Sequence, residues 1–304
     1  MGNLDLGLSS LLTNVWENRS QILFETSKIV NETVGDRVYG LCGASLPKTT
    51  SMTASYSLQL ERIRSLPNLK SWQSSRQRDL FGSYFLRFSN PASSGACLSR
   101  VYVNAKLDKV YEVFSAITAL TPPVARLPGW SGGTTNVMIG RTALVHQGRG
   151  RTPILDWSVV VLMVKIADVD EAFTGRRDVI VIYLNQPVPI ATQLAQQLSL
   201  AISRFVNHDV MPMTQLVSSG ISVGAEVHGQ QGKPGASFTE TRCGLIARGL
   251  IDCVLGPAAQ KSETSRAPLT PVSPPPATAN RLAFVARVEK LFTDAGISVE
   301  EPWL

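Results

Sequence analysis

The sequence predicts a mainly β protein with peripheral helices, in the α+β class. Residues 156–166 and 178–184 are short, nearly continuous apolar runs rich in Val and Ile, as in strands buried within a sheet. The polar segment between them has a length that suits an antiparallel hairpin better than a helical crossover. We therefore expect these two strands to lie at the centre of the fold.

The composition is that of a folded chain. Its 304 residues include 44% hydrophobic and 17% charged residues, which is enough apolar material for a core. This excludes a chain that is disordered throughout. The sequence has no uncharged apolar run of about 18 or more residues, so we predict no transmembrane helix. It also lacks the basic and apolar segments of a secretory signal peptide at its start.

The sequence divides into four regions. Residues 1–40 form an N-terminal helical region, with an amphipathic helix predicted over 8–30. Residues 60–255 form the β-rich core domain. Residues 256–280 carry six prolines among Ser, Thr and Ala, which is typical of a disordered linker or tail. Residues 281–304 have the spacing of a short C-terminal helix, which we interpret as a candidate protein-binding element.

Within and before the core, several elements follow from apolar spacing. Strands are predicted at 84–88 and 98–103, and a helix at 107–120 that ends before a pair of prolines. Residues 43–58 are rich in Ser and Thr and are predicted to form a loop. Residues 191–206 fit both a helix and a strand, so both interpretations stay open.

No catalytic or metal-binding pattern stands out in the sequence. Ser222 lies in a Gly-x-Ser-x-Gly motif, but glycines and a proline follow where the helix of a nucleophile elbow should begin. The three histidines lie far apart, without metal-ligand spacing. We therefore predict no enzymatic activity, no metal and no cofactor. The widely separated cysteines are predicted to be reduced thiols: Cys42, Cys97, Cys243 and Cys253.

The charge is mildly basic, with 29 Lys and Arg against 23 Asp and Glu. Residues 60–90 contain six of the basic residues and only two acidic ones, interleaved with aromatic residues. This pattern is typical of proteins that bind single-stranded nucleic acid, and the alternative is a strand with buried aromatics and solvated arginines. The candidate binding residues in this region are Arg62, Arg64, Arg76 and Arg78.

The predicted hairpin resembles the core of the 30K movement-protein superfamily of plant RNA viruses. In that family two apolar strands flank a glycine turn, and the second strand closes on a hydrophobic-x-Asp signature, with a glycine further along. Here the strands 159–166 and 179–184 flank Gly175. Asn185 occupies the Asp position, and Gly244 lies at a suitable distance for the later glycine.

The resemblance implies a fold and a function. The fold would be a jelly-roll-like antiparallel β sandwich whose next strand covers 198–205. The function would be sequence-independent binding of single-stranded RNA and its transport between plant cells through plasmodesmata. Further copies of the chain, host membrane and plasmodesmal proteins would be the other partners, in the host cytoplasm and at cell junctions. Loop arginines would add phosphate contacts: Arg141, Arg149, Arg151, Arg176 and Arg177.

Two other classes of protein fit the same observations. A viral coat or nucleocapsid protein would share the β core and the basic charge, and it would assemble into particles. A secreted bacterial effector would share the Ser- and Thr-rich N-terminal region and the lack of catalytic motifs. Such an effector would bind a host protein through residues 281–304.

Overall fold

The structure of the chain is a computed structural model, and it divides into two compact units. The sheet unit comprises Ser45–Val210 and Leu216–Ala225, and the helical unit comprises Met1–Ala44, Met211–Gln215 and Glu226–Leu304. The structure describes residues 6–24, 33–43, 53–69, 72–78, 84–120, 125–126, 137–138, 144–146, 154–155, 160–168, 177–226, 238–256 and 280–304.

The strands form two sheets. In chain order they are β1 (Gln73–Arg78), β2 (Tyr84–Ser89), β3 (Ser99–Val103), β4 (Ala125–Arg126), β5 (Val137–Met138), β6 (Leu144–His146), β7 (Ile154–Leu155), β8 (Val161–Ala167), β9 (Ile180–Leu184), β10 (Gln215–Ser218) and β11 (Ile221–Ala225). The main sheet has seven strands in the order β1-β2-β8-β9-β3-β11-β10. The second sheet has four very short strands in the order β4-β7-β6-β5.

The helices belong to both units. They are α1 (Leu6–Glu17), α2 (Arg19–Phe24), α3 (Val34–Gly43), α4 (Thr53–Arg64), α5 (Val110–Leu120), α6 (Val188–Ile202), α7 (Phe238–Leu255) and α8 (Arg281–Asp294). Short 3-10 turns lie at Pro67–Leu69, Leu107–Lys109 and Ser203–Phe205. Among the described residues, none of the helices combines the length and the apolarity that a membrane span requires.

The core of the sheet unit lies on one face of the main sheet. Because side chains alternate along a strand, Val164, Ile182, Val101 and Val223 share this face, and each is at most 1% exposed. The buried faces of α4, α5 and α6 belong to the same apolar cluster. Each fully buried Val or Ile side chain contributes about 1.5–3 kcal/mol of transfer free energy, so this layer stabilises the unit.

The predicted central hairpin is confirmed. Strands β8 and β9 pair in antiparallel register, with Val164 opposite Ile182 and Ile166 opposite Ile180. All five residues of β9 are buried, because β9 lies between β8 and β3 and is covered on both faces. The continuous apolar run in the sequence follows from this burial.

The α+β class is also confirmed, but a mainly β protein is not, because the helices hold more of the described residues than the strands do. The jelly-roll-like sandwich is not confirmed either. The described residues of the sheet unit form one long antiparallel sheet with helices packed on it, and the strands of the second sheet have only two or three residues. The single helix predicted over 8–30 is not confirmed, because a turn at Asn18 separates α1 from α2. Residues 25–32 and most of the predicted linker, 257–279, lie outside the described residues.

Two local predictions need correction. Residues 191–206 form most of α6 and the 3-10 turn that follows, so the strand expected at 198–205 is wrong. Leu198 and Ile202 are buried whereas Leu200 is 87% exposed, as expected for a helix with one apolar face. The loop predicted over 43–58 is wrong at its C-terminal end, because α4 begins at Thr53.

The helical unit is built around α7. Helix α7 packs against α3 and α8, and the ring of Trp16 on α1 stacks on Phe284 of α8 at 5.6 Å between centroids. The Sγ atoms of Cys42 and Cys243 lie 3.3 Å apart as buried free thiols. Burial and the contact with Cys42 raise the pKa of Cys243, so this thiol stays protonated.

A buried arginine fixes the last residues of the described chain. The side chain of Arg242 on α7 is fully buried and lies 3.7 Å from the ring centroid of Phe238. Its Nε donates to the Pro302 carbonyl at 2.5 Å, and its Nη2 donates to a backbone oxygen of Leu304 at 3.2 Å. The guanidinium therefore anchors this segment to α7.

Two glycines of α7 are expected to respond in opposite directions to an added methyl group. A Cβ at Gly249 would lie 2.7 Å from Val288 Cγ2, whereas a Cβ at Gly244 would meet nothing within 4 Å. We expect Gly249→Ala to destabilise the protein by about 1–2 kcal/mol through overpacking against α8. Gly244→Ala should stabilise it by up to about 1 kcal/mol, since alanine favours helices. Urea unfolding measures both changes, and equal shifts would contradict the close approach of α7 and α8.

Replacement of Arg242 should release the segment that it anchors. We expect Arg242→Met to lower the free energy of unfolding by about 2–4 kcal/mol, because the backbone oxygens of Pro302 and Leu304 lose a charged hydrogen-bond donor. Amide hydrogen exchange should become faster over residues 298–304. The control is Arg281→Met, which removes an exposed arginine from the start of α8. Unchanged exchange in Arg242→Met would show that other contacts hold this segment.

Candidate functional site

Two of the predicted nucleic-acid-binding arginines lie at the end of α4. The guanidinium of Arg62 lies 3.8 Å from the ring centroid of Tyr111, so this arginine stacks on an aromatic ring of α5. Arg64 donates from Nη1 to Glu61 at 2.5 Å, one turn earlier on the same exposed helix surface. The carboxylate partly neutralises Arg64, which weakens its attraction for phosphate.

The other two arginines of this group lie on the edge strand β1. Arg76 forms an ion pair with the carboxylate of Asp168, which directly follows β8. Asp168 is 7% exposed, so Arg76 balances the negative charge of a buried carboxylate. The side chain of Arg78 is not among those that the structure describes. A role of these four residues in nucleic-acid binding stays a prediction.

The predicted loop arginines fall mostly outside the described residues. This applies to Arg141, Arg149, Arg151 and Arg176. Arg177 is described and half-buried, three residues before the start of β9. Its Nε atom is buried and has no hydrogen-bond partner within the part of the chain that the structure describes.

The two residues assigned to a viral family signature have structural roles. Asn185 is 2% exposed at the end of β9, where its Nδ2 donates to the Ser94 carbonyl at 2.9 Å. Its Oδ1 accepts a hydrogen bond from Gln186 at 3.2 Å. These contacts close one end of the central hairpin over the loop before β3. Gly244 lies inside α7 and makes no turn.

The serine of the Gly-x-Ser-x-Gly motif lies in a strand. Ser222 is the second residue of β11 and is fully buried, so it does not occupy the exposed turn of a nucleophile elbow. The glycine before this strand has a conformational role, because Gly220 adopts φ +69° in the turn between β10 and β11. A Cβ there would lie 2.1 Å from the Asn207 carbonyl oxygen.

The structure brings together a different group of cations, on the sheet face opposite α4, α5 and α6. Arg87 on β2 is directly opposite Lys165 on β8, and Arg100 on β3 is directly opposite Tyr183 on β9. These positions alternate with the apolar residues that point into the core. We call Arg87, Lys165 and Arg100 the basic face.

Aromatic rings lie beside two of the cations of the basic face. Lys165 Nζ is 3.4 Å from the ring centroid of Phe85, and the guanidinium carbon of Arg100 is 4.4 Å from that of Tyr183. Each cation–π contact is worth about 0.5–2 kcal/mol and positions the charge without neutralising it. All three cations are half-buried. Ser75, opposite Arg87 on the edge strand β1, is exposed, whereas Tyr102, Tyr183 and Ser222 on the same face are at most 9% exposed. This face is therefore covered toward the middle of the sheet.

The charge of the whole main sheet has one sign. Its seven strands contain no Asp or Glu, and they contain five basic residues. Two of these, Arg76 and Arg78, lie on the edge strand β1, and the other three form the basic face. Arg76 is paired with Asp168, just after β8, so the acidic partners of these cations are to be sought outside the strands.

A second polar group lies at the other end of the central hairpin. Asp168 directly follows β8, and Asp178 lies two residues before β9. Each is at most 7% exposed. The hydroxyl of Tyr56 on α4 donates to the Ala167 carbonyl at 2.7 Å. Burial raises the pKa of Tyr56 strongly, and the nearby carboxylate of Asp168 raises it further. This group fixes α4 and β1 to the hairpin.

Sequence reasoning missed the basic face, although it carries a detectable signal. Arg87, Lys165 and Arg100 are each the single basic residue within an otherwise uncharged strand. A basic side chain that interrupts an apolar strand marks a position on the opposite face from the core. The register that places Arg87 opposite Lys165, with Arg100 two strands further along, depends on pairing between distant strands, which one sequence does not contain.

The comparisons with known proteins point to bacterial effectors. The sequence profile of the HopA1 effector protein family matches residues 155–304, just under half of the chain. This segment includes the central hairpin, α6, α7 and α8. No curated protein matches the sequence.

Two solved structures share the fold over nearly the whole chain. An effector protein from Pseudomonas syringae pv. syringae strain 61 has a TM-score of 0.59 at 13% identity, and the alignment covers 98% of this chain and 96% of that one. An effector protein from Pseudomonas syringae pv. tomato strain DC3000 has a TM-score of 0.54 at 14% identity, covering 97% and 96%. At these identities the likeness concerns the fold.

These findings overturn the resemblance to plant viral movement proteins. The hairpin at 161–185 matches a bacterial effector family, and the complete fold matches effector structures rather than a jelly roll. The assignment to plasmodesmata and viral transport is therefore wrong. Two apolar strands joined by a glycine turn are common to many sheets, and this pattern misled the sequence comparison.

The buried hydroxyl of Tyr56 should make stability depend on alkaline pH. Its pKa is raised in the folded state, so the unfolded chain loses this proton first as the pH rises above about 10. We expect stability to fall there by up to about 1.4 kcal/mol per pH unit from this residue.

In Tyr56→Phe this alkaline component should disappear. At neutral pH the same variant should lose about 1 kcal/mol with its hydrogen bond to Ala167. Urea unfolding at several pH values measures both effects. The same alkaline slope in the variant and the wild type would show that Tyr56 is not the group responsible.

Proposed function

We propose that this chain is a bacterial type III effector of the HopA1 family that acts inside a host cell. The match of the family profile to residues 155–304 carries the proposal. The shared fold with two Pseudomonas syringae effectors over almost the complete chain supports it. The host cytoplasm is then the place of action.

We further propose that the chain acts by binding a host protein rather than by catalysis. The side chain of Ser222 is buried within β11, which argues against its use as a nucleophile. The described residues hold no group of three or more His, Cys, Asp or Glu suited to a metal ion.

The apolar residues of α8 do not favour the C-terminal helix as the binding element. Phe284, Val288 and Phe292 are fully buried within the helical unit, and Arg242 holds the segment that follows. Deletion of 281–304 would thus remove part of a core, and loss of a partner after that deletion would not identify a contact surface. Leu282, which is 61% exposed, can be replaced without this difficulty.

Delivery into host cells is the direct test of the effector assignment. A calmodulin-dependent adenylate cyclase fused after residue 304 produces cyclic AMP only inside a eukaryotic cell. We expect cyclic AMP in plant tissue infected with a bacterium that carries the fusion and a working type III secretion system. An isogenic strain without the secretion system should produce none, although it makes the same amount of fusion protein. Equal signals from the two strains, or none from either, would refute the assignment.

A further inference from the structure

The four cysteines of the chain differ in their surroundings. Cys42 and Cys243 are 201 positions apart in the sequence, yet their Sγ atoms lie 3.3 Å apart in the helical unit. Both side chains are buried, and both are free thiols. The Sγ atoms of Cys97 and Cys253 each lie near a backbone oxygen instead. The fold therefore brings one specific pair of thiols into contact.

The packing of α3 against α7 places the two thiols close enough to be joined. Cys42 lies in the last turn of α3, and Cys243 lies in the second turn of α7. A Cβ added at Gly35 of α3 would lie 3.8 Å from the Cα atom of Gly244, so the two helices approach closely. A disulfide bond is about 2.0 Å long, so the sulfurs would have to approach by about 1.3 Å. Small rotations about the two Cα–Cβ bonds are enough for a movement of this size.

A disulfide at this position would join two distant parts of the chain. The helical unit consists mainly of Met1–Ala44 and Glu226–Leu304, and most of the sheet unit lies between these segments in the sequence. Cys42 belongs to the first segment and Cys243 to the second. A cross-link that closes such a long loop restricts the unfolded chain strongly, and its stabilising effect increases with the length of the loop.

Burial determines when such a bond can form or break. Thiol–disulfide exchange requires a thiolate that a reaction partner can reach. In the folded chain Cys42 is 0% exposed and Cys243 is 1% exposed. Burial and the contact with Cys42 also raise the pKa of Cys243, which keeps this thiol protonated. The pair can therefore change its oxidation state only while the helical unit is unfolded or open.

We propose that Cys42 and Cys243 form a redox-dependent cross-link whose state is set when the helical unit folds and is then kept by the fold. With glutathione disulfide as the oxidant, the thiolate of one cysteine attacks it before burial, which forms a mixed disulfide and releases one glutathione. As folding brings the cysteines together, the second thiolate attacks the sulfur of the first cysteine and releases the other glutathione. Two electrons and two protons pass from the cysteines to glutathione. This inference goes beyond the proposed function and does not depend on it.

The test refolds the full chain from urea in two buffers, one with reduced glutathione and one with a mixture of reduced and oxidised glutathione. After removal of glutathione, Ellman's reagent in urea should count four free thiols in the first sample and two in the second. Trypsin digestion and mass spectrometry should find segments 38–48 and 243–248, which contain the two cysteines, joined only in the second sample. The cross-linked chain should have a Tm about 5 °C or more above that of the reduced chain.

Variants assign the cross-link to this pair. Cys42→Ala should keep its three thiols in both buffers and should have the same Tm after either treatment. The matched control is Cys97→Ala/Cys253→Ala, which removes the two cysteines outside the pair and should show the same cross-link and the same rise in Tm as the wild type. Circular dichroism confirms that each variant is folded, and Cys243→Ala serves if Cys42→Ala fails to fold.

A second measurement tests whether the fold keeps the state. The folded, reduced chain in oxidised glutathione should lose the Cys42 and Cys243 thiols at least about tenfold more slowly than the unfolded chain. The folded, cross-linked chain should likewise keep its bond in reduced glutathione. Four free thiols after refolding in the mixture, or a cross-link that contains Cys97 or Cys253, would overturn the proposed pairing. Equally fast oxidation of the folded and the unfolded chain would overturn the proposal that burial keeps the state.

Discussion

The sheet unit depends on the burial of β9. This strand lies in the middle of the main sheet, and all of its residues are buried because it is covered on both faces and paired along both edges. Every backbone polar group in such a strand must find its partner in β8 or β3, since unpaired groups there would cost about 1–3 kcal/mol each. The registers of β8 and β3 are therefore fixed, and those of β2 and β11 follow from them.

This constraint has consequences on both faces of the sheet. On one face it aligns Val164, Ile182 and Val101 into the layer that α4, α5 and α6 cover. On the other face it places Arg87 beside Lys165. A slip of one residue in β8 would turn Lys165 into the core and Val164 toward the basic face. The same pairing thus builds the core and positions the cations.

Local patterns in the sequence predict the elements whose environment is simple. The central hairpin and the helix ending at Leu120 could be recognised because burial on both faces, or on one face of a helix, leaves a clear periodicity. Residues 191–206 could not be assigned, since Leu198, Leu200 and Ile202 alternate as in a strand. A second set has helical spacing: Leu194, Leu198, Ile202 and Phe205. Only the structure shows that Leu200 is exposed. Helix α7 was missed because two glycines, Gly244 and Gly249, interrupt its apolar pattern, and only Gly249 lies where the helix packs closely against α8.

The candidate site could be predicted far less well than the fold, because its geometry joins residues that are distant in sequence. Arg76 looked like a phosphate ligand next to other arginines, yet its partner Asp168 lies 92 residues away. Lys165 lies within an otherwise apolar stretch of sequence, and the pairing with β2 places it opposite a second cation, Arg87. Charge counts along the chain therefore identify which residues carry charge but not which charges are compensated. Because strand pairing decides that, neither the arginine cluster nor the basic residues inside the strands can be assigned a role from their position in the sequence alone.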